Sequence, residues 1–233
     1  MDLKKYRDAY VYPMVGLGGC LSAPRPLAFT TSHALEAHHA RLLGSDQDEE
    51  VLMGYLSTLY WGHYSGTNGK HNPGRALAKV GAAVNGYLIQ RNGQTYRAKG
   101  LADFGHNNAA TVIREAKRLL VAHLYGQAIS TLNALPQLGV AFASKVAAFL
   151  APHTCAVIDS VIATKYPVYD FRLRGKYVSN AKSNFECYQH YCLTLIAQAQ
   201  AQNALGQSAH WRDHDGTLYR WRAVDVERAL YSQ

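Results

Sequence analysis

The sequence predicts a mostly α-helical fold with at most a minor β-hairpin, and two observations carry that expectation. Apolar residues recur at helical spacing, as in Leu52, Tyr55, Leu56 and Leu59, or Val112, Ala116, Leu119 and Leu120. Stretches rich in Gly, Asn and Pro punctuate the chain between those runs.

In chain order, residues 1–30 are rich in Pro and Gly and are expected to wrap the surface as an arm. Helices are expected over 33–43 and 48–61, followed by a polar loop over 62–74 that is too rich in Gly and Asn to be regular. The run 76–91 reads as a helix, and Asn92-Gly93 as a turn that would suit a short hairpin. Asn108 is placed to cap a helix over 109–125, with Gly126 at its end. A short helix over 127–134 leads into Leu-Pro-Gln-Leu-Gly, and a further helix runs over 144–150. Helices over 182–202 and 223–231 complete the chain.

With 233 residues the chain has room for one large domain or two small lobes and for a sizeable core. Its net charge of +8 would draw it toward polyanions. The 16 tyrosines offer flat rings that can stack on bases while the hydroxyl stays wet. Cys20, Cys155, Cys187 and Cys192 form no Cys-x-x-Cys pair and match no zinc or iron–sulfur spacing, so reduced thiols and a cytoplasmic location are expected. Basic Lys4, Lys5 and Arg7 precede an apolar run, the layout of a signal peptide with Cys20 at a lipobox-like place. Tyr10, Tyr12 and Pro13 interrupt that run, and Gly16, Gly18 and Gly19 weaken any helix there, so no signal peptide is expected. No run is long enough to span a bilayer, and the sequence reads as that of a soluble protein. Gly16–Gly19 lacks the spacing and context of a nucleotide-binding loop, and no Gly-x-Ser-x-Gly, His-x-x-x-His or RNA-binding motif is present.

The segment 132–163 carries the chemistry. It reads as helix, tight turn, helix, short loop, and an apolar approach to one carboxylate. Pro136 and Gly139 suit a sharp reversal, and backbone amides at a turn feeding a helix can hold a phosphate oxygen without any side-chain charge. Lys145 would sit in the first turn of the following helix, where the helix dipole and partial burial both favour the neutral amine that attacks carbon. Asp159 follows Ala156, Val157 and Ile158, so a partly buried carboxylate is expected, with Lys145 as its partner.

Leu-Pro-Gln-Leu-Gly with Ala-Ser-Lys-Val-Ala, and then Val-Ile-Asp-Ser, resembles the helix-hairpin-helix motif and aspartate segment of the DNA glycosylase superfamily, which includes endonuclease III and 8-oxoguanine DNA glycosylases. The C-terminal Trp-Arg-Ala-Val-Asp-Val-Glu-Arg-Ala-Leu-Tyr-Ser-Gln is similar to the last helix of bacterial 8-oxoguanine-glycosylase-like proteins. Two departures stand out. Ala141 replaces the second Gly of the hairpin, with Lys145 two residues later than usual, and the lysine-to-aspartate interval is shorter by about four residues, close to one helical turn.

The resemblance implies a single domain over 1–233 made of two helical lobes with a cleft, the hairpin and aspartate segment occupying 127–163. It implies a monomer acting on double-stranded DNA, with Leu138, Gly139, Val140 and Ser144 on the DNA backbone. It implies no metal or other cofactor and leaves room for a monovalent cation on hairpin carbonyls. The nucleotide would be flipped out, Asp159 would stabilise the sugar cation, and Lys145 would attack C1′ to give a Schiff base, leaving an abasic site or a nick. For base selection, Trp61 and Tyr64 offer stacking, and His63, Asn68, His71 and Asn72 offer hydrogen bonds, with Trp211, Trp221 and Arg222 as second candidates. Two substrate classes follow: an oxidised purine, suggested by the resemblance, or a bulky base such as glucosylated cytosine in phage DNA, suggested by the polar loop and pointing to anti-phage defence. The alternative from another class is a DNA-binding hairpin protein without chemistry, which would need neither Lys145 nor Asp159.

Overall fold

The computed structural model describes residues 2–65 and 71–233. It is mostly helical, with small antiparallel hairpins at four places among the described residues rather than at most one. Helix α1 (Leu3–Asp8) leads into the hairpin β1 (Val15–Cys20) and β2 (Ala23–Ala28), then α2 (Ser32–Leu43) and α3 (Asp48–Tyr64). Helix α4 (Pro73–Asn85), the hairpin β3 (Tyr87–Arg91) and β4 (Gln94–Ala98), α5 (Leu101–Phe104), α6 (His106–Val121) and α7 (Tyr125–Leu132) follow. The C-terminal part holds α8 (Val140–Leu150), α9 (Ser160–Lys165), the two-residue strands β5 (Leu173–Arg174) and β6 (Tyr177–Val178), α10 (Lys182–Ala204), strands β7 (Trp211–Arg212) and β8 (Leu218–Tyr219), and α11 (Ala223–Ser232).

The core organises around α3. Residues Val51 to Trp61 are buried without a break, so this helix is apolar on every side and its neighbours wrap it. Asp48, Glu49 and Glu50 fill its first turn, where negative charge meets the positive helix end. Buried apolar side chains from Leu3 in α1 to Leu230 in α11 join one continuous cluster.

Several local expectations are corrected. Residues 1–30 are no surface arm: α1 buries Leu3 and Arg7 against α11, and the chain then doubles back as a hairpin whose Leu17 is fully buried. The run 76–91 divides at Gly86, whose φ of +73° ends α4, and the rest forms β3. Asn92 (φ +53°) and Gly93 (φ +74°) close that hairpin with two left-handed residues. The helix expected over 109–125 starts earlier, behind Gly105, and stops at Val121, because His123 turns left-handed at φ +60°. Asn108 therefore lies inside α6. Gly126 ends nothing; it lies inside α7 where α10 crosses, and a β-carbon there would stand 2.3 Å from the Phe185 carbonyl oxygen.

The helix expected to begin near Ser144 begins at Val140. Lys145 is thus in its middle, not its first turn, and the helix dipole has no special purchase on it. The left-handed residue of the preceding turn is Gln137 (φ +62°) rather than Gly139, which has extended backbone and caps α8. Tyr55 on α3 donates to the Pro136 carbonyl at 2.5 Å and anchors that turn to the core.

Candidate active site

The Lys145 segment and the Asp159 segment are held together by hydroxyls. Ser144 Oγ accepts from the Ile158 amide (3.0 Å) and donates to the Ala141 carbonyl (2.9 Å), tying the loop to α8. From α10, Tyr188 donates to the Ala156 carbonyl (2.9 Å) and Tyr191 to the Val157 carbonyl (3.0 Å). So pinned, the extended segment ends at Asp159, which caps α9 by accepting from the Val161 (2.9 Å) and Ile162 (3.0 Å) amides.

Lys145 and Asp159 line one narrow cavity of about 20 Å³, room for about one water. Lys145 is 7% exposed, with its ammonium nitrogen 5.5 Å from the Trp61 ring centre and 5.6 Å from that of Phe142. Gly62 makes room for it: a β-carbon there would lie 2.4 Å from Phe142 Cε1 and 3.0 Å from Lys145 Cδ. The same cavity takes Glu227 and Tyr231 from α11, and Tyr10 and Tyr12 from the segment after α1. Tyr12 packs on Trp61 with ring centres 4.9 Å apart, and Trp61 Nε1 donates to the Pro13 carbonyl at 3.0 Å. Asp159, Tyr12 and Tyr231 are only half-buried and form the mouth.

Burial pushes the Lys145 ammonium down from the ordinary lysine range, against the pull of Asp159 and Glu227. Burial and then the Asp159 charge push the Glu227 carboxyl up to about 8, with Arg228, Lys145 and Arg7 opposing. Neither group is held by a hydrogen bond from the protein among the described residues. A buried amine poised toward its neutral form, beside one anchored carboxylate and one protonated carboxyl, can serve as a nucleophile with an acid–base partner.

The other residues singled out in the sequence fall elsewhere. Ser144 is fully buried and its hydrogen bonds all stay within the protein, so it clamps the loop and does not reach a phosphate. The Val140 amide is taken by Asn180 Oδ1 at 3.0 Å, and the Leu138 side chain is core. Gly139 is half-buried against Asn180, and its amide and that of Ala141 have no protein acceptor among the described residues. Trp221 is core, donating from Nε1 to the Ala209 carbonyl, and Trp211 is core under the Arg7 guanidinium at 3.6 Å. Arg222 is buried among Glu36 and Asp225. These three are structural and face no base pocket. Trp61 is a cavity wall. His63 stacks on Phe142 at 4.3 Å, its basicity pushed down to about 3 by burial and by Lys79, Arg75 and Lys145. Tyr64 lies between Tyr60 and His71, and His71 is exposed. Asn72 caps α4 through its bond from the Arg75 amide. Asn68 lies outside the described residues.

Sequence reading missed Glu227, Tyr10, Tyr12 and Tyr231. The available signal was the two tyrosines in an apolar stretch near one end of the chain and a glutamate one helical turn before Tyr231. Nothing local marks either as facing Lys145. Among the described residues no group of three or more His, Cys, Asp or Glu side chains is placed to hold a metal ion, and no helix is long and apolar enough to cross a membrane. Comparison with protein-family models, with curated proteins and with solved structures finds no match for this chain.

Proposed function

We propose that this protein is a DNA glycosylase that excises a modified base through a lysine nucleophile. The observation that carries this reading is the convergence of Lys145 and Asp159 on one cavity, with the lysine buried, without a hydrogen bond among the described residues, and its basicity lowered by burial. A protein that only gripped DNA would have no use for such an amine. Lys145 attacks C1′ of an extruded nucleotide and displaces the base, while Asp159, fixed by two amides, stabilises the positive charge on the sugar. The resulting Schiff base leads to an abasic site or a nick.

The cavity as it stands holds no base. In this reading it receives the reacting carbon, and the half-buried Tyr12 and Tyr231 at its mouth meet the base. A path for the DNA backbone is supported by exposed Arg172, Arg174, Lys176 and Lys182 and by a groove of about 360 Å³ between the β5–β6 hairpin and α9, the helix capped by Asp159. The unused amides of Gly139 and Ala141 at the start of α8 suit one phosphate oxygen.

The test is borohydride trapping on duplex DNA carrying oxidised guanine and on glucosylated phage DNA, with abasic sites scored in parallel. The parent chain should form a covalent adduct with one of the two, and Lys145→Gln should form none. An adduct that survives this change would place the nucleophile elsewhere.

A further inference from the structure

Among the described residues the buried acids are hydrogen-bonded, with one exception. Asp225 receives bonds from Arg7 Nε (3.3 Å) and Arg222 Nε (2.8 Å), and Glu36 is bridged by Arg222 and Arg228. Asp213 takes the Ser32 hydroxyl (2.9 Å) and the His33 and His214 amides. Glu227, two residues beyond Asp225 on α11 and 4% exposed, receives none of these, although Arg228 is its neighbour in sequence. That arginine is already committed to Glu36. A carboxyl on a buried side chain that no protein donor reaches is left to the cavity for its hydrogen bonds. Its one distinction is that it reaches the cavity of Lys145 and Asp159.

We propose that Glu227 is the acid–base residue of the excision reaction, protonating the departing base and then receiving the proton that Lys145 releases. This rests on the glycosylase reading and adds to it a third reacting side chain. The neutral Lys145 amine uses its lone pair to form the N–C1′ bond, and the C1′–base bond breaks with its electrons leaving on the base. The Glu227 O–H supplies the proton that neutralises the base. The secondary ammonium left on Lys145 passes one proton to the Glu227 carboxylate. Glu227 returns that proton to the ring oxygen O4′ as C1′–O4′ opens, which leaves the protonated Schiff base on Lys145. Asp159 stays a carboxylate throughout, stabilising the positive charge.

The surroundings suit a proton donor at neutral pH. Glu227 faces Lys145 on α8, Asp159 at the head of α9, Tyr10 and Tyr12 after α1, Tyr191 on α10, Arg7 on α1, and Arg228 and Tyr231 on its own helix. Burial and the Asp159 charge outweigh the three cations and hold the proton on up to about pH 8.

The experiment compares Glu227→Gln and Glu227→Asp with the parent on two DNAs. Single-turnover excision is measured from pH 5 to 10 on the modified duplex that the parent cleaves, and borohydride trapping on a duplex with a preformed abasic site, where no base has to leave. Excision by Glu227→Gln should fall about 100-fold or more, the range of general acid catalysis. Its rate should also lose the decline that the parent shows through pH 8. Trapping on the abasic duplex, which still needs the ring-opening proton but none for a departing base, should fall far less than excision does, and Glu227→Asp should recover part of the excision rate and its pH decline. Parent-like excision and pH profile in Glu227→Gln would overturn the assignment while leaving Lys145 untouched. So would a sharply lowered melting midpoint in that variant, which would mark Glu227 as a structural acid. A parent chain that neither excises nor traps on any duplex removes the glycosylase reading itself, and this assignment with it.

Discussion

Helix α11 carries two buried charge clusters that obey opposite rules. At its start Arg222, Asp225 and Arg228 join Arg7 and Glu36 in a network where each carboxylate has at least two cationic partners. The same helix also brings Glu227 and Tyr231 to face Lys145 and Asp159 across a cavity where amine and carboxyl have no hydrogen-bond partner among the described residues. The first arrangement resembles a joint: it locks α1, α2 and α11 together. The second turns its bonding capacity toward a cavity instead of toward the protein, as chemistry requires.

The largest expected effect breaks the joint. Asp225→Ala leaves Arg7 and Arg222 buried without their shared carboxylate, and should cost about 3–5 kcal/mol, read as a lowered midpoint in denaturant unfolding. Lys145→Met removes a buried ionisable group from the open cluster and should cost less than about 1.5 kcal/mol, since no hydrogen bond among the described residues is lost and the volume is kept. Equal losses in the two variants would abolish the distinction between the clusters.

Gly62→Ala probes how tightly the open cluster is held. Its β-carbon would collide with Phe142 and press on Lys145. We expect a loss of about 1–3 kcal/mol together with weaker borohydride trapping. Parent-like trapping would show that the amine has slack in its position.

The last effect is a pH dependence. Glu227 holds its proton up to about 8 in the folded chain, against an ordinary value of 4.5, so the folded state binds this proton more tightly than the unfolded one. The stability it contributes is complete below pH 4.5 and is lost as pH rises through 8. Glu227→Gln carries no such loss, so its melting midpoint should climb relative to the parent between those pH values and level off above. Lys145 runs the other way, but it is common to both chains. A difference that stays flat with pH would mean that Glu227 is ionised in the fold.

Much of the helical frame was legible along the chain. α2, α3, α10 and α11 lie within a few residues of their expected spans, and no proline interrupts any of these runs. Boundaries that depend on a single backbone angle were not legible: His123 and Gln137 take left-handed conformations where a glycine would have announced the turn. The same blindness put Lys145 in a first turn when it sits mid-helix, so its loss of basicity comes from burial and owes nothing to the helix end.

The sequence by itself determined that this chain is mostly helical and basic, and that one lysine and one aspartate stand on either side of a short loop. Fourteen residues apart, those two could meet through local geometry alone, and they line one cavity. Only the tertiary structure decided that Glu227, Tyr10, Tyr12 and Tyr231 complete that cavity while Arg222 and Trp221 turn inward to the core. The reason is physical. Whether a carboxyl keeps its proton or an arginine finds a carboxylate depends on which distant segments exclude water from it, and that exclusion exists only once the two ends of the chain have packed together.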